Sequence, residues 1–197
     1  LVEGLRRHGV EATVALFGDG PFRDQLSALG FATASVRPSP RVRQATRYRL
    51  TGGPLQVAGL LAAGLPTALR LAALARRVQA DLIHTNGMKA HLLAGLAGRL
   101  AGIPVLWHLR DFPPGGLAGR VFRAASRQFP SLIVAISDAG VSALGPGSRG
   151  PRIVRLYDPV DLSRFHPSTP RGRIRKELGL DADMPLVGLV AHLTPWK

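Results

Sequence analysis

Several side chains near the middle of the chain could bind or transform a polar ligand. Thr85, Asn86 and Gly87 directly follow one short apolar run, and His108 and Arg110 stand at the end of another. Hydroxyl, amide, imidazole and guanidinium groups donate or accept hydrogen bonds, and an imidazole also exchanges a proton near neutral pH. The complete set of candidate site residues in this part of the chain is Thr85, Asn86, Gly87, Lys89, His108, Arg110 and Ser137.

Three segments must position these side chains. An acid, Asp81, is followed by the short apolar run 82–84, and a second apolar run covers 105–109; such runs indicate buried strands, here at 81–84 and 105–109. The leucines between them recur every three to four residues, as in a helix. A strand, a helix and a second strand within about thirty residues predict two neighbouring parallel strands. Ligands of open parallel sheets bind beyond the carboxyl ends of the strands. We therefore expect the active site where these two strands end, with a further strand at 132–136 outward of the second.

Some of these residues also have a purely structural explanation. His84 lies inside the first apolar run and is favoured as a core histidine with satisfied hydrogen bonds. His91 lies on the helix, where it is structural or exposed. Arg110 and the neighbouring Asp111 could simply pair with one another. A functional role is favoured for His108, because it stands at the carboxyl end of a predicted strand.

The remaining pattern predicts an α/β fold in which strands and helices alternate. Helices are expected at 1–8, 22–29, 117–129, 138–144 and 171–178, and strands at 12–17, 31–36, 131–136, 152–157 and 185–193. Ser137 is placed to be the N-cap of the helix that follows it. A linker at 166–170 predicts domains at 1–165 and 166–197. Because the first helix has no start signal and the chain stops within a loop, we expect a fragment of a longer protein.

The composition favours an anionic partner and excludes several kinds of site. The chain carries 26 basic and 12 acidic residues, a formal net charge of +14, and this surplus attracts nucleic acid, acidic lipid or phosphate-bearing substrates. The absence of cysteine excludes disulfides and cysteine metal sites, and it fits a reducing, cytosolic setting. No histidine and acid cluster has metal-ligand spacing, and no P-loop or G-x-S-x-G motif is present. We expect neither a metal nor another cofactor.

The segment 37–49 contains five arginines and no acid. One interpretation is a solvated loop. The other is a surface that contacts acidic lipid or a phosphorylated acceptor.

The segment 50–69 contains no charged residue, and the length of this uncharged segment is close to that of a membrane-spanning helix. Gly52-Gly53-Pro54 and Gly64-Leu65-Pro66 divide the segment into pieces, and Arg70 follows it. A helix packed on the sheet is favoured over a transmembrane span. A helix that lies in the membrane surface is the intermediate alternative.

Several segments, in order, resemble one enzyme family. DLIHTNGMKAHLLAGLAGRLAGIPVLWHLRDF resembles the fourth and fifth strands and connecting helix of the retaining glycosyltransferases of family four (glycosyl transferases group 1), and IVAIS resembles the sixth strand. RIVRLYDPVDLSRFHP resembles the following strand with its V-D-x-x-x-F-x-P motif, and PLVGLVAHLTPWK resembles the start of the second domain. The resemblance implies the GT-B architecture, which consists of two Rossmann-like domains with a cleft between them.

The resemblance also implies a different binding role for each of the two parts of the chain. Residues 1–165 would be the N-terminal, acceptor-binding domain without its first strand, and 166–197 the linker and beginning of the donor-binding domain. The family's glutamate pair would lie beyond Lys197, so we expect the fragment to be inactive alone.

Residue by residue, the resemblance carries over to a few positions. His108 matches a histidine beside the transferred sugar, and Lys197 matches a lysine that binds the donor diphosphate. His192 stands where the family has an arginine, and neutral histidine lacks the guanidinium fork that grips phosphate. Asp158 likewise replaces the usual asparagine.

The leading hypothesis is a retaining glycosyltransferase of the hexosyltransferase type. It would move a sugar from a nucleotide sugar to a glycan or lipid-linked acceptor in bacterial cell-envelope or polysaccharide synthesis. We expect it in the cytoplasm, on the inner face of the membrane, with an acidic membrane surface as a further partner. The alternatives are a basic α/β module that binds nucleic acid or a phosphorylated ligand, and a periplasmic sugar receptor. Nucleic acid is disfavoured because aromatic residues make up only 6% of the chain and do not interleave with the basic ones.

Overall fold

A computed structural model of the chain describes residues 2–45, 53–145, 150–168, 172–181 and 183–190. Its strands are β1 Thr13–Leu16, β2 Ala32–Ser35, β3 Ile83–Asn86, β4 Val105–Leu109, β5 Leu132–Ala135 and β6 Arg152–Arg155. Its helices are α1 Val2–Arg6, α2 Pro21–Ala28, α3 Pro40–Gln44, α4 Pro54–Arg77, α5 Met88–Ala101, α6 Gly116–Gln128, α7 Asp138–Ala143 and α8 Arg173–Glu177. Strands and helices alternate, which confirms the predicted α/β class.

The six strands form two sheets, and every pairing is parallel. β1 pairs with β2, and the second sheet has the order β3-β4-β5-β6. The prediction that β3 lies beside β4, with β5 further outward, is therefore confirmed. Such an arrangement places the ends of β3 to β6 along one edge of the second sheet.

One face of the second sheet forms the main apolar core. Val105, Trp107 and Leu109 on β4 are buried, whereas the two residues between them are only half-buried. These side chains, with Ile133 on β5, pack against Phe122 on α6 and against apolar residues of α5 and α7. The alternation along β4 follows from the two-residue period of a strand. It leaves His108 on the face opposite the core.

A second apolar cluster joins the two sheets through α4 and α5. Val36 after β2 and Val42 on α3 are buried with Leu71 on α4 and Leu93 on α5, and Ile83 of β3 packs against the same cluster. Residues of both sheets therefore contribute to one packed unit, which covers Leu1–Tyr157.

β3 lies two residues further along the chain than expected. The sequence predicts a strand at 81–84 and a loop at 85–87, but pairing with β4 begins at Ile83 and continues to Asn86. The Ile83 N–H donates to the carbonyl of Pro104 at 3.0 Å, so the start of β4 determines where β3 starts. Thr85 and Asn86 thus belong to the strand and not to the loop after it.

The arginine-rich segment is not only a loop. α3 lies within it, with Pro40 in the first turn and with the Ser39 hydroxyl accepting a hydrogen bond from the Val42 N–H at 3.5 Å. Serine as N-cap followed by proline is a common helix start, so this signal was present in the sequence. Arg47 and Arg49 lie outside the described residues.

α4 is one continuous helix, although the sequence predicts a break at 64–66. Pro66 lies inside it and removes one backbone hydrogen bond, at a cost of about 3 kcal/mol in a helix interior. Packing offsets this cost, because one face of α4 is buried along its length against α5. By length and composition alone α4 could cross a membrane, but core helices of soluble proteins pass the same test.

The second compact unit covers Asp158–Lys197. Its short helix α8 is followed by a turn in which the Arg175 guanidinium donates to the carbonyls of Asp181 (3.2 Å) and Met184 (2.6 Å). The strand predicted at 185–193 is absent from 185–190, the part of it that is described. A strand requires a neighbour for its hydrogen bonds, and none of the described residues pairs with this segment. The predicted boundary at Phe165 stays a prediction.

Candidate active site

The ends of β3 and β4 bring two predicted site residues together. Asn86 and His108 are direct partners in the parallel register of the two strands. Partners in neighbouring strands point to the same face of the sheet, and the strands lie about 4.8 Å apart. Asn86 is exposed and His108 is half-buried, so an amide and an imidazole stand side by side at the carboxyl edge.

His84 belongs to the same face and is not a core residue. It lies two residues before Asn86, it is exposed, and its ring centroid is 5.6 Å from that of His108. Partial loss of water around the ring, and then the positive charge that His108 can carry, lower the pKa of His84. The prediction of a buried core histidine is therefore wrong at this position. Because strand residues alternate between faces, His84 shares the orientation of Asn86, and both point away from the core.

Thr85 and His91 lie on the opposite, buried face. Thr85 donates its hydroxyl hydrogen to the carbonyl of Leu106 at 3.1 Å, and its oxygen lies 2.7 Å from Nδ1 of His91. A hydroxyl has one hydrogen to give, so His91 must donate from Nδ1 to Thr85. Thr85 is 2% exposed, so its hydroxyl joins α5 to β3 and β4 and is closed to a ligand in this structure.

Burial makes His91 a neutral residue. It is 1% exposed and stacks on Trp107, with ring centroids 4.9 Å apart. Burial, and then the positive charges that His108 and His84 can carry, lower the pKa of His91 to about 4. His91 is thus structural, one of the two roles expected for it, and stays uncharged at neutral pH.

Trp107 has the one buried side-chain polar atom that lacks a hydrogen-bond partner within the described part of the chain, its indole Nε1. An unsatisfied buried donor costs about 1–3 kcal/mol. The indole contacts both His91 and Phe122, whose ring centroid is 5.3 Å from that of Trp107, and the His91 and Phe122 centroids are 6.2 Å apart. This aromatic cluster supports the end of β4 from beneath, directly before His108.

The turn after β3 carries the next two candidates. Gly87 has φ 94°, a left-handed conformation that side chains rarely adopt, and α5 starts immediately after it. Lys89 donates from Nζ to the carbonyl of Arg43 at 2.5 Å, and burial lowers its pKa. Lys89 therefore connects α5 to α3. Arg110, the candidate that follows β4, is exposed.

Ser137 has a structural task after β5. Its hydroxyl accepts a hydrogen bond from the Gly140 N–H at 3.1 Å and so caps α7, as predicted. The neighbouring Asp138 accepts from the Arg155 guanidinium at 2.7 and 2.8 Å. This pair raises the pKa of Arg155, whose guanidinium also lies 5.0 Å from the ring centre of Tyr157.

The donor-side candidates fall where the structure gives no description. Lys197 and His192 lie outside the described residues, and their predicted roles stay predictions. Within the described ranges, no group of three or more histidine, cysteine or acidic residues could hold a metal ion.

The face formed by His84, Asn86 and His108 can hydrogen-bond a ligand that carries several hydroxyl groups. One amide and two imidazoles supply both donors and acceptors there, at the edge where parallel sheets bind ligands. Sequence reasoning found Asn86 and His108 but missed His84. The signal was its spacing of two residues from Asn86, which places both on one face once they belong to the same strand.

The chain matches the model of Glycosyltransferase Family 4 over residues 1–164. Comparison with curated protein sequences gives no match.

Similar solved structures are glycosyltransferases. Anabaena Alr3699/HepE, solved with UDP and glucose, is 24% identical over 85% of this chain and 42% of that chain, with a TM-score of 0.60. Acinetobacter baumannii MurG is 17% identical over 94% and 45%, with a TM-score of 0.53. A glycosyltransferase from Rickettsia africae ESF-5 is 13% identical over 93% and 45%, with a TM-score of 0.60. These likenesses confirm the Rossmann-like fold of GT-B proteins, and the chain spans less than half the length of each relative.

Proposed function

Since the chain belongs to Glycosyltransferase Family 4, we propose that it forms the acceptor-binding part of an enzyme that moves a sugar from a nucleotide sugar to an acceptor hydroxyl. The observation that supports this most directly is the placement of Asn86 and His108 as neighbours at the carboxyl ends of β3 and β4. At that edge they can hydrogen-bond the hydroxyl groups of a sugar or an acceptor.

The proposed donor is a nucleoside diphosphate sugar. The Anabaena HepE structures contain UDP with glucose, UDP-glucose, or UDP, and the same class of donor is proposed for this chain. The net charge of +14 is favourable for a ligand that carries a diphosphate. Lys197 would contact that diphosphate, with His192 in place of a stronger guanidinium contact. No metal or other cofactor is proposed.

The proposed reaction retains the anomeric configuration of the sugar. The bond between the anomeric carbon and the diphosphate oxygen breaks as a bond to the acceptor oxygen forms, and the acceptor proton passes to an oxygen of the departing diphosphate. Positive charge and amide groups stabilise the departing diphosphate. The acceptor hydroxyl must be held close to the anomeric carbon, because positioning supplies a large part of such an acceleration. Asn86 and His108 would serve the sugar and acceptor side.

The proposed setting is bacterial cell-envelope or polysaccharide synthesis in the cytoplasm, with hexosyl transfer to a glycan or a lipid-linked acceptor. The 197-residue chain by itself is proposed to be inactive, because it spans less than half the length of each similar solved structure and so includes little of the proposed donor-binding domain.

The test is the substitution His108→Ala in the complete protein. If His108 contacts the sugar more strongly in the transition state, kcat should fall by about ten- to a thousand-fold while the melting temperature changes little. His8→Ala, a change at an exposed histidine after α1, is the matched control and should leave both values unchanged. A His108→Ala protein that melts several degrees lower but keeps its kcat would show that His108 only packs.

A further inference from the structure

The outer face of α4 is apolar and faces solvent. Leu61, Leu65 and Leu69 are 52%, 45% and 52% exposed, and Leu55 near the start of the helix is 90% exposed. A spacing of four residues places the first three on one side of a helix. The opposite side is buried, and at Gly64 it approaches Leu93 so closely that a methyl group would come within 2.9 Å. α4 is thus apolar on both faces, but only one of them is covered.

Arginines border this apolar face, and no acid lies nearby in the sequence. Residues 25–80 contain eight arginines and no aspartate or glutamate. Arg70 and Arg77 follow Gly59 by eleven and eighteen residues, close to three and five helical turns, so all three positions lie along one edge of α4.

Arg41 of α3 lies at the same edge. A methyl group on Gly59 would come within 2.6 Å of the Arg41 guanidinium. The Ser39 hydroxyl donates to the carbonyl of Ala63 at 3.3 Å and so holds the start of α3 against α4. Arg41, Arg70 and Arg77 are all exposed and form a basic row beside the leucines.

We propose that this surface, formed by Leu55, Leu61, Leu65 and Leu69 with the basic row Arg41, Arg70 and Arg77, docks the protein onto an anionic lipid bilayer. An interfacial helix places apolar side chains at the boundary of headgroups and acyl chains, and cations beside it bind the anionic headgroups. The surface has both parts. Residues 25–80 carry no acid of their own, and Asp19, from outside this segment, pairs with Arg37, which is not part of the basic row. Docking goes beyond the proposed transfer reaction and does not depend on it.

Charge complementarity favours the bilayer over the other partners that such a surface could have. Nucleic acid would use the basic row but not four exposed leucines. A second copy of the chain that docked through the same face would bring its own basic row against this one, and like charges across an interface are unfavourable. A bilayer of anionic lipid satisfies both the apolar and the charged parts.

The apolar part is tested by co-sedimentation of the full chain with vesicles that contain about one-third phosphatidylglycerol. Leu61→Ser, Leu65→Ser and Leu69→Ser together should weaken binding by about tenfold or more, because three apolar side chains no longer leave water. The matched control replaces Leu29, Leu82 and Leu100, which are 54%, 50% and 40% exposed elsewhere, with serine and should bind like the unaltered chain.

The charged part is tested with the pair Arg41→Gln and Arg77→Gln. Each arginine near an anionic bilayer contributes about fivefold, so the pair should weaken binding by about 25-fold. Arg120→Gln with Arg152→Gln removes the same net charge from other exposed positions and should change binding much less. About 1 M salt should release the unaltered chain, since it shortens electrostatic screening to roughly 3 Å.

Several results would overturn the proposal. The first is an equal loss of vesicle binding in a variant and in its control. The second is binding to purely zwitterionic vesicles that is as tight as binding to anionic vesicles. The third is tighter binding to duplex DNA than to anionic vesicles. A dimer that forms without lipid and dissociates in the leucine variant would assign the face to a second copy instead. Circular dichroism of each variant ensures that a loss of binding is not a loss of fold, and none of these results bears on sugar transfer.

Discussion

At the scale of single residues, three histidines that lie close together have different tasks. His84 and His108 share the open face at the carboxyl edge, whereas His91 is buried beneath it against Trp107. The sequence predicted function for His108 and offered a structural role for His91. It could not show the bond between His91 and Thr85, because that contact depends on how the start of α5 packs against β3.

The pKa of His91 predicts a pH dependence of stability. It is about 4 in the folded chain against an ordinary value of 6.5, so between these values the unfolded chain binds more protons. Stability is therefore complete above pH 6.5 and falls as the pH is lowered toward 4, by up to about 3 kcal/mol for this one group. Urea unfolding at several pH values measures the effect.

The comparison protein for this measurement is His91→Phe, which keeps a ring against Trp107 but cannot titrate. The free energy of unfolding of the unaltered chain, minus that of His91→Phe, should decrease as the pH falls from 6.5 to 4. Only the unaltered chain loses the contribution of the His91 pKa shift. Parallel curves over that range would show that His91 does not bind its proton more weakly in the folded state.

At the scale of elements, the pattern of apolar residues predicts the order of the strands correctly. It fails for the bounds of β3 and the continuity of α4, which depend on tertiary contacts. Continuous apolar runs predicted β4 and its neighbours β3 and β5. The register between β3 and β4 moved β3 forward by two residues, and packing against α5 kept α4 helical through Pro66. Neither effect is visible in the sequence of one segment, because each depends on a partner that is distant in the chain.

The close approach of α5 to β4 predicts the effect of filling its smallest position. In Gly98→Ala the new methyl group would lie 2.1 Å from Cγ2 of Val105 and 2.8 Å from the carbonyl oxygen of Ile103. Overpacking costs about 1–3 kcal/mol, which exceeds the gain of about 1 kcal/mol from helix propensity. We expect lower stability in thermal and urea unfolding.

Gly4→Ala in α1 is the matched control, since nothing lies within 4 Å of the added methyl group there. It should be neutral or slightly stabilising. A Gly98→Ala chain that is as stable as the Gly4→Ala chain would mean that α5 does not lie this close to β4.

At the scale of the whole molecule, the Rossmann-like fold and the family were both predicted from the sequence and are both confirmed. The candidate site was predicted in part: Asn86 and His108 lie together, whereas Thr85 and Ser137 are engaged in structural hydrogen bonds. The acceptor-side assignment concerns residues 1–164, and the chain covers less than half the length of its solved relatives. The activity therefore has to be tested on the complete protein and on the chain separately.

The most direct measurement is transfer of radiolabelled sugar from a panel of nucleotide sugars into a pool of glycan and lipid acceptors. The complete protein should move label from at least one donor into the acceptor pool, with the anomeric configuration retained in the product. The 197-residue chain alone should transfer none. Absence of transfer from every donor by a folded complete protein, or transfer by the chain alone at the rate of the complete protein, would contradict the account.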